Sequence, residues 1–508
     1  MTRPLTILAF GLLAAAVFLL GGCAVGPDFK TPTAPPAAGY VAGAHTAATA
    51  ASPDPGGEAQ RFVDGLDIPG QWWTLFRSDD LNALITRAIA NSPTLGAAQA
   101  ALRQANENLA AERGSYYPSA SASAQSERER ASSASFGGIP GLPSAFFYSL
   151  NNVTVNVSYT LDVFGGIRRQ VEALQAQADY ERYAFEASYL SLTANIVTAA
   201  VTEASLRAQI AATLDIAASQ RHQLEILGKR FTAGGSSRAD VLQQEATLEN
   251  TLASLPPLQS QLTQERNLLA TYLGVTPAEY AGAEFRLDSL HLPDELPVSL
   301  PSKLVEQRPD VREYTALLHE ATAQIGVATA NLLPQITLSG SYGGEATKAS
   351  QVFSADSIVW SLVGGVTQPI FKGGTLVHQR RAAVAAAQQA AANYQATVVT
   401  AFQNVANTLA ALEADAQVFA ADAAGERAAR GSLTLVQVQF KSGAASYTQV
   451  LTAEQTYQNA AVALVKARAQ RYADTAALFQ ALGGGWWNRT DVDVNAKVNA
   501  TDCCKGSQ

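Results

Sequence analysis

Phe231-Thr232-Ala233-Gly234-Gly235-Ser236-Ser237-Arg238-Ala239-Asp240-Val241-Leu242-Gln243-Gln244-Glu245 has a second version 209 residues later: Phe440-Lys441-Ser442-Gly443-Ala444-Ala445-Ser446-Tyr447-Thr448-Gln449-Val450-Leu451-Thr452-Ala453-Glu454. Phe, Gly, Val-Leu and Glu coincide, and Leu273-Gly274 matches Leu482-Gly483 at the same spacing. Pro93 and Pro118 correspond to Pro309 and Pro334 at an offset of 216, and Gly165-Gly166 to Gly373-Gly374 at 208. So many matches at nearly one spacing mark an internal duplication, to be read before any local pattern.

Each copy places a glycine turn between two long helical stretches. Arg168 to Arg230 holds no proline and a single glycine, Gly228; a helix of about 62 residues reaches roughly 90 Å at 1.5 Å per residue. Beyond the turn, Val241, Leu248, Leu255, Leu262 and Leu269 are spaced by seven, as are Val450, Tyr457, Leu464, Arg471 and Leu478, with Arg471 the polar exception. Sustained heptads predict coiled-coil packing against neighbouring helices, with a kink or split at Pro256-Pro257.

On the other side of each long helix lie strand patterns. Leu150, Val153, Val155, Val157, Tyr159, Leu161 and Val163 face Asn152, Thr154, Asn156, Ser158, Thr160 and Asp162, and Ser119 to Gln125 alternates in a more polar key. Ile336, Leu338 and Tyr342 alternate with Thr337, Ser339 and Ser341, and a fourth strand is expected from Ser357 to Ile370. One apolar and one small polar face suit a membrane barrel with a wet lumen, and equally a soluble sheet with one wet side. Four strands cannot close a barrel, and an open edge is not tolerated in lipid, so closure requires further copies. Two copies give eight strands and a filled interior, whereas three give twelve and room for a lumen, which favours a homotrimer.

The chain begins with Arg3, an apolar run from Leu5 to Leu20, and Leu20-Gly21-Gly22-Cys23. The run is short for a membrane span and ends in small residues before a cysteine, the form of a signal peptide closed by a lipobox. Residues 1–22 are therefore expected to be removed and Cys23 to carry acyl chains in outer-membrane lipid. Ala24 in place of an aspartate favours delivery to the outer membrane. Cys503 and Cys504 are the other cysteines, so no disulfide framework is expected. The net charge of −8 contains no basic run and argues against nucleic acid as a partner.

From Gln71 onward the chain resembles the TolC-like outer-membrane factor family, in its lipoprotein branch. The resemblance is carried by Trp72-Trp73-Thr74-Leu75-Phe76, by Arg308-Pro309-Asp310-Val311-Arg312 leading through Ala323-Gln324-Ile325-Gly326-Val327-Ala328 to Leu333-Pro334, by Gln368-Pro369-Ile370-Phe371-Lys372-Gly373-Gly374, and by Tyr159 to Gly165. It implies an α+β membrane protein in which a trimeric, twelve-stranded transmembrane β-barrel is continued by a long periplasmic α-helical barrel. It also implies a periplasmic adaptor and an inner-membrane pump of the RND type as partners. The expected domains are a signal peptide (1–22), a lipidated tether (23–70), a first repeat (71–280), an equatorial linker (281–302), a second repeat (303–485) and a flexible tail (486–508). Within the repeats, strands are expected near 118–130, 149–164, 334–347 and 357–371, and long helices near 168–230, 238–274, 376–440 and 446–483.

By the same resemblance the two turns contact the adaptor, through Phe231, Gly234, Ser237 and Asp240 in one and Phe440, Gly443 and Ser446 in the other. The family commonly narrows its duct with a leucine and, four residues on, an aspartate; here Thr448 and Thr452 stand at those places. Closure is then expected to rest on Tyr447, Gln449 and helix packing, with Tyr447, Thr448 and Thr452 as aperture candidates. The function expected is passive conduction of small molecules out of the cell. The rival readings are an exit duct for type I protein secretion and a non-conducting coiled-coil lipoprotein. His45, His222, His291, His319 and His378 are scattered, and no nucleophile, phosphate-loop, cofactor or metal spacing occurs, so no enzyme is expected.

Overall fold

In the computed structural model the described residues are 24–36, 39–41, 46–132 and 145–489; Cys23, Cys503, Cys504 and the expected tail beyond Arg489 lie outside them. The elements are β1 (Arg61–Asp64), α1 (Asp79–Asn91), α2 (Pro93–Arg113), β2 (Ser119–Ser132), β3 (Ala145–Leu161), α3 (Gly166–Thr232), α4 (Arg238–Ala253), α5 (Leu255–Tyr272), β4 (Glu295–Val298), α6 (Pro301–Gln307), α7 (Pro309–Ala330), β5 (Gln335–Ala346), β6 (Ile358–Thr367), α8 (Thr375–Lys441) and α9 (Tyr447–Ala481). The series helix, strand, strand, long helix, turn, helix thus occurs twice. Helices α3 and α8 have 67 residues each, about 100 Å of helix. Among the described residues no helix is long and apolar enough to cross a membrane.

The first repeat's second long helix is divided. α4 ends at Ala253 and α5 begins at Leu255 with prolines in its first turn, because Pro256 and Pro257 have no N–H to continue the ladder. The Ser254 hydroxyl donates to Thr251 O at 2.7 Å, and its backbone N–H reaches Leu252 O, one of the carbonyls the prolines leave without a helical donor.

The chain forms two compact units. One comprises residues up to 32, 101–181 and 314–394. Its sheet is antiparallel throughout, in the order β2-β3-β5-β6. Asp162 accepts from the backbone N–H groups of Ile167 (3.0 Å) and Arg168 (2.9 Å), so the strand passes into α3 with the helix N-terminus capped.

Residues 24–29, expected as part of an extended tether leading away from the lipid, are fastened to this unit. Val25 N–H donates to Phe164 O at 3.0 Å. The guanidinium of Arg169 donates to Val25 O (3.1 Å) and pairs with Asp28 (2.6 Å) and Glu172 (2.7 Å). Phe29 stacks on His319 at 4.3 Å. Gly326 on α7 makes the room: a Cβ there would stand 2.6 Å from Arg169 Cγ and 2.8 Å from Val25 O. Gly326→Val is expected to lever this segment away and cost about 1–3 kcal/mol, read as a lower thermal midpoint and faster proteolysis near residue 30. An unchanged midpoint and cleavage rate would show that the glycine is not needed for the fit.

The other unit comprises the described residues among 33–100, 182–313 and 395–489. Its core gathers Trp72, Phe76, Tyr472 and Phe479, with Trp72 stacked on Phe479 at 5.2 Å. β1 pairs in parallel with β4, so the expected equatorial linker (281–302) supplies a strand. Arg471, the polar heptad position, is buried: its guanidinium donates to Gly56 O and to Glu58 O (2.8 Å), with the Phe419 ring beneath it at 5.5 Å. Residues 46–58 are therefore a strap held to α8 and α9, further secured by Thr46 donating to Glu413 and by the Asp54–Arg427 pair.

Candidate functional site: a channel wall and two helical tips

Directly paired residues of an antiparallel sheet share a face. One face carries the rows Ala120–Val157–Gly340–Leu362 and Ala122–Val155–Tyr342–Trp360, with Tyr159, Leu338, Leu161, Ile336 and Val366 towards the helical end. The other carries Ser121–Asn156–Ser341–Ser361 and Ser119–Ser158–Ser339–Val363. Leu150, expected among the apolar residues, pairs with Glu127 on the polar face, because it falls out of phase with Val153. Hydroxyls bridge the strands on that face, Ser123 to Thr154 at 3.0 Å and Ser341 to Ser361 at 2.8 Å. Opposite them, Trp360 and Leu362 are 74% and 79% exposed. One apolar and one hydroxyl-rich face have the chemistry that a wall between lipid and water requires.

The tips are built from matched caps. At the end of α3, Gly234 (φ 76°) closes a turn in which Gly235 N–H donates to Arg230 O (2.7 Å) and Gly234 N–H to Phe231 O (3.0 Å). At the end of α8, Gly443 (φ 79°), Ala444 and Phe440 repeat it, with bonds of 2.8 and 3.1 Å. Both are the left-handed C-cap that glycine adopts without steric cost. Ser237 and Ser446 then start α4 and α9 in capping boxes with Asp240 and Gln449.

The side chains at the two tips differ. Phe440 and Tyr447 are buried with Leu227, Val241 and Val450, whereas Phe231 is exposed. The Arg230 guanidinium lies over the Phe440 ring at 4.5 Å. Thr448 and Thr452 are exposed, Thr452 donating to Thr448 O at 3.0 Å. Tyr447 is thus separated from the two threonines it was grouped with; its hydroxyl donates to buried Gln244, whose amide donates to Gln220 O at 3.0 Å. Beside it lies Glu454, also buried, its carboxyl pushed up to about 7 by desolvation, against which the amides of Gln244 and Gln437 act. In the sequence Glu454 is a match of the repeat and the end of the second tip, and no local pattern marks it as buried. Among the described residues no group of three or more His, Cys, Asp or Glu could hold a metal.

The model of the family described as "Outer membrane efflux protein" matches residues 84–275 and 300–484. The chain belongs to that family. Its relatives include the pyoverdine export outer membrane protein OpmQ of Pseudomonas aeruginosa, 30% identical over 431 residues, covering 83% of this chain and 89% of that one. The probable efflux pump outer membrane protein TtgC of Pseudomonas putida is 28% identical over 482 residues, covering 94% and 96%. Among solved structures, the outer-membrane channel OprN superposes with a TM-score of 0.82 at 26% identity, covering 91% of this chain and all of that one. An efflux channel subunit of the outer membrane, mostly helical and with a large periplasmic part, is what this sequence encodes. Its relatives are channels rather than enzymes.

Proposed function

We propose that three copies of this chain join their sheets into one twelve-stranded barrel that continues as a periplasmic helical tunnel, the passive exit duct of a tripartite efflux pump. The observation that carries this is the four-stranded sheet with two open edges, β2 and β6, and oppositely dressed faces. Such a sheet in lipid must close on other copies, and three leave a lumen where two would not. Ile370 and Phe371, 95% and 87% exposed in the single chain, and the small-residue run Ala382–Ala392 of α8 are surfaces a neighbouring copy would cover. Val25 against Phe164 brings the segment after Cys23 to the helical end of β3, a suitable height for acyl chains in the inner leaflet. The exposed tip residues Phe231, Ser237 and Ser446 meet the periplasmic adaptor, and the inner-membrane pump is of the RND type. Thr448 and Thr452 line the aperture with uncharged groups.

Oligomeric mass and single-channel conductance, measured on the same detergent preparation, test this. A three-chain particle with a small gated conductance that grows severalfold in Val450→Ala, which loosens the tip core, is the expected result. A monomer without conductance would leave only the coiled-coil lipoprotein.

A further inference from the structure

Beyond Val153 the wall changes character. The sequence Glu127-Arg128-Glu129-Arg130 alternates in charge, and the period of two sorts it by side. Glu127 pairs with Leu150 and Glu129 with Tyr148 on the polar face, where Glu345 joins them opposite Asn152 and the Tyr148 hydroxyl donates to Glu129. Arg128 pairs with Ser149 and Arg130 with Phe147 on the face of Val153, Val155 and Val157. Acids therefore stand on the lumen side and arginines on the lipid side. On the arginines' face the neighbouring rows supply Ser126, Asn151, Ser149 and Phe147, with no carboxylate, and among the described residues neither arginine is in an ion pair.

Their height is set by the register. Arg128 is four and Arg130 six residues beyond Ala124, the partner of Val153, which puts them roughly 10–15 Å past the last apolar row for strands tilted near 40°. That is headgroup depth rather than hydrocarbon. Phe147, 68% exposed and directly opposite Arg130, fits the same boundary, where aromatic rings collect.

We propose that Arg128 and Arg130 form a cationic step on the outside of each copy that binds the phosphate groups of anionic lipids in the outer leaflet. Guanidinium groups match phosphate oxygens two at a time, and a basic pair at an anionic membrane surface raises lipid affinity about tenfold or more. This rests on the wall reading above. The occupant is a membrane lipid rather than a dissolved anion, because both side chains project from the lipid side of the strand and the lumen side at this level is acidic.

The test is native mass spectrometry of the detergent-purified assembly titrated with diphosphorylated lipid A, with dephosphorylated lipid A and inorganic phosphate as comparisons. Lipid A should bind at least tenfold more weakly to Arg128→Gln/Arg130→Gln, while Glu127→Gln/Glu129→Gln binds as the parent does. Equal binding by the arginine variant, with the three-chain mass intact, overturns this inference alone. Displacement by millimolar inorganic phosphate overturns it in favour of a soluble-anion site. A parent protein that is not a three-chain particle overturns the wall reading and this inference with it.

Discussion

Taking the protein from pH 7 to pH 4.5 is expected to tighten the tip between α8 and α9 by about 3 kcal/mol, and Glu454→Gln to reproduce that tightening at pH 7. Glu454 is 3% exposed, and among the described residues no donor meets either carboxylate oxygen with hydrogen-bond geometry. The ionisable groups of the surrounding segments leave it without a cation. On α9 these are Tyr447 and Tyr457, and on α4 Asp240. On α8, Arg430 is committed to Glu426 at 2.5 Å and lies over Tyr457; on α3, Arg230 lies over Phe440. Burial raises Tyr447 above the tyrosine range, and the charge of Glu454 adds to that rise. The carboxyl itself moves from 4.5 to about 7. The packed tip therefore holds a proton that the loosened, hydrated tip releases. Packing is at full strength below pH 4.5, weakens as pH rises to 7, and is level above 7, where the group is ionised in both states. The range corresponds to a few-hundred-fold change in local opening. Hydrogen exchange of amides 447–457, normalised for intrinsic rates, reads it directly, with exposed Glu245→Gln as the control. Protection that is flat with pH in the parent, or equal in parent and Glu454→Gln, would sink the idea.

That pair of glutamates also shows where the sequence stops being readable. Glu245 and Glu454 are 209 residues apart at matched places in the duplication, yet one is exposed and the other buried. A repeat specifies equal backbone, whereas burial depends on which neighbours each copy meets. The same limit separates exposed Phe231 from buried Phe440. What was legible had a strong local cause. The long helices follow from the absence of proline over more than sixty residues, the turns from Gly234 and Gly443, and the two-faced sheet from strict alternation after Asn152. Before Asn152 the hydrophobic count misplaced Leu150, because phase is set by pairing partners and not by apolar content. The strap was illegible for another reason. Its carbonyls accept from Arg471, as Val25 O in the segment before it accepts from Arg169, each more than a hundred residues away, and a Pro/Ala/Thr/Gly stretch carries no period that could announce such contacts.

Arg489→Ala is expected to be the most damaging single exchange outside the apolar core, lowering stability by about 3–5 kcal/mol. The tail expected to be flexible starts with Trp486 and Trp487, which pack as their place after the last helix suggests, but the fixed part runs further, because Trp486–Asn488 is a short helical turn held on several sides. Trp486 Nε1 donates to Gln307 O at 2.6 Å, Trp487 Nε1 to Asp67 at 3.0 Å, and Asn488 Nδ2 to Asp67 at 2.9 Å. Arg489 closes the clasp: its guanidinium is 2.8 Å from Glu186, with side chains 3% and 4% exposed, and 3.4 Å from the Tyr189 ring centre. Removing the cation leaves the Glu186 carboxylate in a site too dry for its charge, and that desolvation, rather than the lost contact, dominates the cost. Two consequences separate this from a surface pair. Salt should hardly change the penalty, since screening acts on exposed charges. Glu186→Leu combined with Arg489→Met, which removes both charges at similar volume, should recover most of the stability, so the double-mutant cycle shows a coupling of several kcal/mol. Thermal or denaturant unfolding of the four proteins measures it. A single-variant cost below about 1 kcal/mol, the range of exposed ion pairs, would mean that water reaches the clasp and that the end of α9 is not locked to α3.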